Sequence, residues 1–242
     1  MSGQGVDRTA AGVPRRPPVI TIEPVLFDSQ GGEAWPPGSL AVEAGGMLVL
    51  TGPPGCGKSQ LLRSAAGLER SRGARVGIAG HHLESLSHRR RRRIAAETRL
   101  FYLPAEAPLL SNLTVLENLL LPIRYLGERD EREALGEALD LMRACGIDWA
   151  VGELPSRLSE EDRRTAALLR GFLRYPMVAL LDDPLHGLDD VSLGGVLPLL
   201  RSSLANGGCA ILAVARDLEA LSGLPLTQVS MPPRHLQAPS RP

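Results

Sequence analysis

The sequence predicts an α/β protein with a mostly parallel sheet, helices on both faces of that sheet and an inserted helical subdomain. Three apolar runs indicate the sheet: MLVL at 47–50, MVALL at 177–181 and CAILAV at 209–214. Continuous runs of this kind are typical of strands that are buried on both faces. Segments with helical spacing of apolar residues separate the runs, and this alternation of strands and helices indicates parallel pairing.

The elements follow in order from the N-terminus. Residues 1–18 lack an apolar signal core and are expected to form a flexible tail, and VITI at 19–22 and residues 40–42 predict short strands. The strand at 47–50 continues into a Gly-rich loop and then into QLLRSAAGLE at 60–69, where apolar residues recur at helical spacing. This order of strand, loop and helix is the start of the predicted core.

The middle of the chain is predicted to be helical. Within EREALGEALDLMRACGI, the residues Leu135, Leu139 and Met142 lie on one stripe, with charged residues on the other side. The predicted organisation is a flexible tail at 1–18, an α/β core at 19–100 and 173–230, a helical subdomain at 101–172 and a Pro-rich flexible tail at 231–242.

Composition excludes several classes of function. Lys plus Arg and Asp plus Glu both number 27, and the resulting net charge of zero argues against a general nucleic-acid binder. The three cysteines form no CxxC pair, so neither a disulfide framework nor a zinc site is predicted. No apolar run approaches the roughly 18 residues that span a membrane. We therefore expect a cytoplasmic protein that reaches a membrane only through partners.

The arginine run at 89–93 leaves two interpretations open, an anion-binding patch and a solvated helix face.

A phosphate-binding motif lies between the third predicted strand and its helix. GPPGCGKS at 52–59 satisfies G-x-x-x-x-G-K-S, in which Gly-rich backbone turns successive N–H groups toward phosphate oxygens. The following helix adds the positive end of its dipole. The motif predicts a P-loop NTPase core that binds ATP and Mg²⁺, with Lys58 on the β- and γ-phosphates and Ser59 on the metal. The predicted nucleotide contacts are Gly52, Pro53, Pro54, Gly55, Cys56, Gly57, Lys58, Ser59 and Gln60.

Two aspartates end the second apolar run. Asp182 stands where a P-loop protein needs a carboxylate to hold Mg²⁺, so we predict that Asp182 and Ser59 are the metal-binding residues. Asp183 follows directly, and both aspartates have the alternative role of capping the next turn. Cys56 lies in the P-loop at a helix start, and we expect it to be a reactive thiol that Mg·ATP protects.

Taken together, these motifs resemble the ATP-binding subunit of an ABC transporter over about residues 19–221. The order is the same: the P-loop, LTVLEN at 113–118, a signature position at 158–162, DDP at 182–184 and HGLDD at 186–190. The resemblance implies a second ATP-binding subunit, transmembrane permease subunits and a peripheral position on the inner face of the membrane. The segments SLSHRRRRR and ENLLLPIRYLG are similar to those of the lipoprotein-release and phospholipid-trafficking branches of this family.

The chain departs from this family at several functional positions. The signature LSGGQ is replaced by the residues Leu158, Ser159, Glu160, Glu161 and Asp162. The resemblance places Asp183 as a possible catalytic base in place of glutamate, and Arg216 in place of the switch histidine. The loop glutamine falls at about Ala105, with Glu106 beside it, and the adenine-stacking aromatic falls near Ser29, with Phe27 and Trp35 nearby. Asp189 matches the aspartate of the inter-subunit loop, although a helix cap is an alternative.

The acidic signature is a good helix start and a poor phosphate site. Ser159 can cap the helix with Asp162 three residues later, and acidic groups suit the positive end of the dipole. A carboxylate about 5 Å from a phosphate charge costs about 3 kcal/mol at an effective dielectric of about 20. Two such carboxylates outweigh the dipole, which contributes up to about 2 kcal/mol. We therefore predict that this helix has lost its ligand, the ATP of the partner subunit.

Two hypotheses follow for the function. In the first, the chain is an ATPase subunit of a transport complex whose hydrolysis is slow or needs a competent partner, because Asp183 is one methylene shorter than glutamate. In the second, it binds nucleotide without hydrolysis and has a structural or regulatory role. A P-loop enzyme of another kind, such as a kinase, fits LTVLEN and the DDP–GLDD order poorly. A homodimer would carry the altered signature at both of its ATP sites.

Overall fold

The computed structural model describes residues 17–24, 36, 38–70, 74–127, 129–216 and 218–233. The strands in these ranges are β1 (Pro18–Pro24), β2 (Leu40–Glu43), β3 (Met47–Thr51), β4 (Ala74–Ile78), β5 (His81–His82), β6 (Phe101–Leu103), β7 (Val178–Asp182), β8 (Ala210–Val214) and β9 (Leu226–Ser230). The α-helices are α1 (Lys58–Ala65), α2 (His88–Glu97), α3 (Val115–Leu126), α4 (Glu131–Ala144), α5 (Glu160–Phe172) and α6 (Asp190–Leu204). None of the described helices has the length and hydropathy needed to cross a membrane.

The centre of the fold is a parallel sheet of five strands in the order β6-β7-β8-β3-β9. Both of its faces are buried, since alternate residues of one strand enter different hydrophobic clusters. Met47 and Val49 of β3 join one cluster, whereas Leu48 and Leu50 join the other. Two buried faces explain why the strand sequences are continuous apolar runs. The predicted α/β class and parallel sheet are confirmed.

The two faces are covered by different layers. The first cluster packs the sheet against apolar residues of α3, α4, α5 and α6. The second packs it against α1, α2 and a separate antiparallel sheet in the order β2-β1-β4-β5. The sequence predicts strands near β1 and β2 but not this second sheet. Ile20 of β1 pairs with Ile78 of β4, and no local pattern encodes a pairing across so long a stretch of chain.

The helical subdomain begins later than predicted. The predicted range 101–172 includes β6, but Phe101 and Leu103 of this strand pair with Ala179 and Leu181 of β7 inside the parallel sheet. The subdomain therefore starts after β6, because three residues of strand were too few to stand out from their helical surroundings. After it, α3 begins with a capping box between Thr114 and Glu117.

Buried Asn118 explains the LTVLEN motif. Its side-chain amide donates to the carbonyl oxygens of Leu110 and Leu113 at 3.0 and 3.1 Å, and its side-chain oxygen accepts from the Leu110 N–H at 2.7 Å. Asn118 thus satisfies the backbone of the loop that precedes α3, which would otherwise be left partly unpaired. The motif therefore has a local structural role, in which Asn118 holds the loop that leads into the helical subdomain.

The predicted tails need small corrections. Pro18 already belongs to β1, and Met231 is fully buried, with its N–H donating to the Thr51 carbonyl at 2.8 Å. The hydrogen bond continues the pairing of β9 with β3, so the ordered chain extends past residue 230. The remaining tail predictions, and the adenine-stacking position at Ser29 with its neighbours Phe27 and Trp35, lie outside the described residues.

The arginine run forms the outer side of α2. Arg89, Arg90, Arg92 and Arg93 are exposed, while Ile94 anchors the helix in the second cluster. Arg93 pairs with Glu97 one turn later at 2.7 Å. This arrangement is that of a solvated helix face, the second of the two interpretations left open by the sequence.

Candidate functional site

The carboxyl ends of three neighbouring strands bring the predicted site residues to one edge of the parallel sheet. Leu50 of β3 is level with Val214 of β8, and Val214 is level with Asp182 of β7. Beyond this row the chain continues into the P-loop from β3, into Asp183 from β7 and into Arg216 from β8. Ligand sites of open α/β sheets lie at such an edge.

The P-loop has the backbone of an anion cradle. Gly52, Gly55 and Gly57 have φ values of 134°, 78° and 94°, which lie in the region that favours glycine. Gly57 precedes α1 without a side-chain cap, and the first turn of α1 contains no acidic residue. The free N–H groups and the dipole of this helix start therefore face the loop, an arrangement that suits phosphate oxygens.

Lys58 is folded back on its own loop. Its ammonium group donates to the carbonyl oxygens of Gly52 and Pro53 at 2.8 and 2.9 Å and lies 3.3 Å from the thiol sulfur of Cys56. It is also the only lysine of the sequence, since all other basic side chains apart from histidine are arginines. A compact ammonium group can donate to both loop carbonyls at once, whereas the rigid planar fork of a guanidinium does not fit this arrangement.

The structure contradicts the expected accessibility of Cys56. The side chain belongs to the second hydrophobic cluster, and the residue is only 1% exposed. An alkylating reagent cannot reach a thiol at this depth unless the loop opens. The reason is that the loop turns Cys56 inward to pack on α1, which sequence spacing does not reveal.

Asp182 and Ser59, the two residues predicted to bind the metal, are joined by a side-chain hydrogen bond. Asp182 is 6% exposed, and burial raises the pKa of its carboxyl group, while a hydrogen bond from the Ser59 hydroxyl opposes this rise. The negative charges of Asp183 and Glu106 raise the pKa of Asp182 further. A hydroxyl and a carboxylate with other negative charges nearby are the oxygen donors that Mg²⁺ takes. The described residues contain no group of three or more His, Cys, Asp or Glu that could hold a metal, and Mg²⁺ typically uses one or two protein carboxylates with substrate phosphates.

Replacing Asp182 by asparagine should stabilise the chain without nucleotide and weaken the stabilisation by Mg·ATP. Because the folded-state pKa of Asp182 is raised, its stability contribution is present at low pH and lost as the pH rises through that pKa. At neutral pH the charge costs stability, and its removal should raise the unfolding temperature by about 2–4 °C per kcal/mol gained.

Thermal unfolding measured from about pH 7.5 down to about pH 4 tests this prediction. The difference from wild type should shrink toward the acid end, where Asp182 is protonated in the folded state and aspartate begins to be protonated in the unfolded state as well. Asp140→Asn is the matched control, because the Asp140 side chain is 78% exposed on α4. A variant at Asp182 that unfolds at a lower temperature than wild type at neutral pH would contradict the assigned role of burial.

Asp183 has an unusual backbone and two arginine neighbours. Its φ of 53° lies in the left-handed region, and its carbonyl accepts a hydrogen bond from Arg164 Nη1 at 3.1 Å. Its carboxylate Oδ2 lies 3.1 Å from Arg216 Nε and 4.0 Å from His186 Nδ1. Asp183 lines a cavity of about 190 Å³ together with Gly187, Leu193, Ala215 and Leu221. The His186 N–H also donates to the Asp183 carbonyl at 3.3 Å, so the residue takes part in the turn after β7 as well.

Within one chain, the carboxylates of the altered signature already have partners. Ser159 caps α5 by accepting from the Asp162 N–H, and the Asp162 carboxylate accepts from the Ser159 N–H and hydroxyl. Glu161 accepts from the backbone N–H of Asp189, and Glu160 lies 3.6 Å from Arg164 Nη2. Within one chain, the helix start is therefore closed by its own side chains and by the contact with Asp189.

Asp189 serves as a helix cap, the alternative that the sequence left open. Its carboxylate accepts from the Ser192 N–H at 2.7 Å at the start of α6, and this hydrogen bond lowers the pKa of Asp189. Since Glu161 binds the N–H of the same residue, the signature helix and the loop before α6 are joined within one chain.

Sequence reasoning missed Arg164. This residue is 3% exposed, and besides the Asp183 carbonyl its guanidinium donates to the Ala105 carbonyl at 2.8 Å. Ala105 lies about where the resemblance predicts the loop glutamine, so Arg164 connects three of the predicted site segments. A signal was available, because Arg164 stands one turn before Leu168 on the apolar side of α5, where a charged residue needs a partner.

The chain is similar to known proteins over most of its length. The profile described as ABC transporter matches residues 37–186. LolD, the lipoprotein-releasing system ATP-binding protein of Shewanella denitrificans, is 31% identical over 179 residues, 74% of this chain and 76% of LolD. SsuB 2, the aliphatic sulfonates import ATP-binding protein of Agrobacterium fabrum, is 34% identical over 181 residues, 75% of this chain and 63% of SsuB 2. LolD of Xanthomonas euvesicatoria is 32% identical over 161 residues, 66% of this chain and 65% of that LolD. The matches thus span less than two thirds of the second and third relatives.

Solved structures share the fold. The ATP-binding subunit of an ABC transporter superposes with a TM-score of 0.71 and 22% identity, covering 88% of this chain and 85% of that chain. A dimeric bacterial ABC transporter cassette superposes with a TM-score of 0.73 and 20% identity, covering 88% of this chain and 94% of the cassette.

Proposed function

Because the chain belongs to the ABC transporter family of ATP-binding domains, we propose that it is the ATP-binding subunit of a membrane transport complex with slow or impaired hydrolysis. The observation that carries this proposal is the sheet edge where the P-loop, the uncapped start of α1 and the Asp182–Ser59 pair meet. The P-loop residues and Gln60 would hold the phosphates of ATP, and Ser59 and Asp182 would hold Mg²⁺. Mg²⁺ held there would supply charge neutralisation for the phosphates.

The residues that surround this edge support the proposed impairment of hydrolysis. Asp183, the candidate base, is one methylene shorter than glutamate, and without nucleotide it faces the positive charge of Arg216 in place of a neutral histidine. The Glu160 side chain is 79% exposed at the start of α5, where a partner's phosphate would have to approach. In a head-to-tail pair, this chain's own P-loop would meet the partner's signature, while the partner's ATP would meet the acidic one. A homodimer would be altered at both sites.

The same observations favour one alternative function. If the Asp183–Arg216 contact persists with ATP bound, the chain holds nucleotide without hydrolysis and acts as a structural or regulatory subunit. The second ATP-binding subunit, itself or a paralogue, would then supply turnover.

The proposed partners are transmembrane permease subunits, with the chain peripheral on the inner, cytoplasmic face of the membrane. The coupling surface we propose is the segment 105–121, where Leu110 is 47% exposed beside the loop that Asn118 organises. For the cargo we propose a lipid or a lipid-anchored protein, supported by the likeness to LolD. The likeness to SsuB 2, whose name refers to sulfonate import, is the competing indication.

The unique lysine allows a direct test of the nucleotide site. An amine-reactive reagent can modify only Lys58 and the N-terminal amine, so peptide mapping reports on Lys58 alone among side chains. We expect Mg·ATP to protect Lys58 from modification, because its ammonium group would then donate hydrogen bonds to phosphate oxygens. Equal modification with and without Mg·ATP would contradict occupancy of the loop.

Phosphate release then tests hydrolysis. We expect the purified chain alone to turn over at least about 100-fold more slowly than a competent family member, the cost of a base misplaced by about 1 Å. Release by the complex with its native membrane partners should separate the two functions. Loss of that release on Lys58→Ala assigns turnover to this chain's site, and unchanged release assigns it to the partner. Fast turnover by the chain alone that Lys58→Ala abolishes would overturn the proposed impairment.

A further inference from the structure

Asp183 and Arg216 hold each other at the phosphate edge of the sheet. Arg216 Nε lies 3.1 Å from Asp183 Oδ2, and the Arg216 N–H donates to Asp183 Oδ1 at 3.4 Å. The two residues come from neighbouring strand ends and are 33 positions apart in the sequence. Both are departures from the residues that the family places there, and their charges are opposite. The two substitutions therefore complement each other.

The contact between the two side chains is close but poorly directed. Asp183 Oδ2 is buried and has no hydrogen-bond partner in spite of the nearby guanidinium, so the pair is a charge contact without hydrogen-bond alignment. The Arg216 side chain is 76% exposed, whereas that of Asp183 is 11% exposed. An exposed, flexible cation can leave such a contact at low cost, while the buried carboxylate cannot follow it.

A nucleotide triphosphate would offer Arg216 a better partner. The row formed by Leu50, Val214 and Asp182 places the P-loop and Arg216 beyond the same sheet edge, on adjacent strands. A terminal phosphate carries more negative charge than a carboxylate, and its oxygens match the fork of a guanidinium. A diphosphate lacks this terminal group.

We propose that Arg216 and Asp183 form a latch that the terminal phosphate of ATP opens. Without nucleotide, and with ADP, Arg216 holds the carboxylate of Asp183 and keeps it from acting as a base. With ATP, Arg216 moves to the terminal phosphate, and Asp183 Oδ2 becomes free to accept a proton. Arg216 is thereby a specificity-determining residue that distinguishes a nucleoside triphosphate from a diphosphate. The opening of the latch rests on the proposed function, because it requires that the chain binds ATP. The ion pair itself does not depend on the proposed function.

A double-mutant cycle tests the latch without reference to activity. Asp183→Asn, Arg216→Met and the double variant are compared with wild type by thermal unfolding in the absence of nucleotide. We expect the shifts of the two single variants to be non-additive by about 2 °C or more, the size of a coupled pair in a chain of this length. Arg216→Lys, which keeps the charge, should retain part of the coupling. Additive shifts would overturn the latch, whatever the chain does with ATP.

The same cycle in saturating Mg·ADP and Mg·ATP tests its opening. The coupling should persist with Mg·ADP and fall within error of zero with Mg·ATP. In direct binding measurements, Arg216→Met should weaken the affinity for Mg·ATP about 5- to 10-fold, because one charged contact is lost. The affinity for Mg·ADP should be unchanged. Arg132→Met on an exposed part of α4 is the matched control. Equal losses for the two nucleotides would overturn the exchange, and failure of wild type to bind either one would overturn the proposed function while leaving the nucleotide-free cycle valid.

Discussion

We expect Gly52→Ala to destabilise the chain far more than Gly55→Ala, although both glycines belong to the same loop. A Cβ atom at Gly52 would lie 2.4 Å from the carbonyl oxygen of Met231, a backbone atom that cannot rotate away. Its φ of 134° adds backbone strain for any residue with a side chain. A Cβ atom at Gly55 would meet nothing within 4 Å, so only its φ of 78° matters there.

The expected difference follows from these two geometries. Gly55→Ala should cost about 1–2 kcal/mol, the strain of one left-handed residue. Gly52→Ala should cost about 3 kcal/mol or more, because relief of the clash requires the loop to move away from the β9 end. The loss should extend to Mg·ATP binding, since Lys58 bonds to the carbonyl of this same glycine.

Denaturant unfolding and nucleotide binding of the two variants provide the measurement. Gly55→Ala is the control for glycine loss as such, being in the same loop with the same change in composition. Similar unfolding free energies for the two variants would show that the contact with Met231 does not constrain the loop.

The second large effect is expected for Arg164→Met. Arg164 makes two charge-assisted hydrogen bonds, to the carbonyls of Asp183 and Ala105, each worth about 1.5–3 kcal/mol. Methionine restores some packing but leaves the carbonyl of buried Asp183 without this donor. We therefore expect the free energy of unfolding to fall by about 3 kcal/mol.

Neighbouring arginines supply the controls for this experiment. Arg163→Met loses one hydrogen bond, to the Leu158 carbonyl at 3.1 Å from a partly buried side chain, and should cost about 1 kcal/mol. Arg164→Lys keeps the charge but not the fork, so its loss should fall between those of the two methionine variants. An Arg164→Met variant as stable as wild type would mean that removal of a buried charge offsets the lost bonds.

Local chemistry made much of this protein predictable from its sequence. The apolar run of β3, the glycines at positive φ and the start of α1 at Lys58 all lie within one short stretch, so their pattern is visible directly. The capping box of Ser159 and Asp162 is also local, and the structure forms it as expected. These elements depend on backbone geometry and near neighbours, which sequence spacing reports well.

Long-range pairing was not predictable in the same way. β6 is three residues long and gains its strand conformation from β7, and β1 pairs with β4 although β2, β3 and α1 lie between them in the sequence. The inward turn of Cys56 depends on the packing of α1. Each of these outcomes depends on contacts between distant segments, for which a single sequence carries no local pattern.

The sequence by itself determined that the chain has a Gly-rich phosphate-binding motif, a carboxylate at the end of another buried strand and an acidic helix start at the signature position. Only the tertiary structure decided which distant group each charged side chain contacts, whether a carboxylate, a backbone carbonyl or a backbone N–H. Arg216 meets Asp183 across 33 positions, Arg164 reaches Ala105 across 59, and Glu161 reaches Asp189 across 28. The physical reason is that a charge takes the partner that folding brings within a few ångströms, since electrostatic attraction depends on distance in space and on burial.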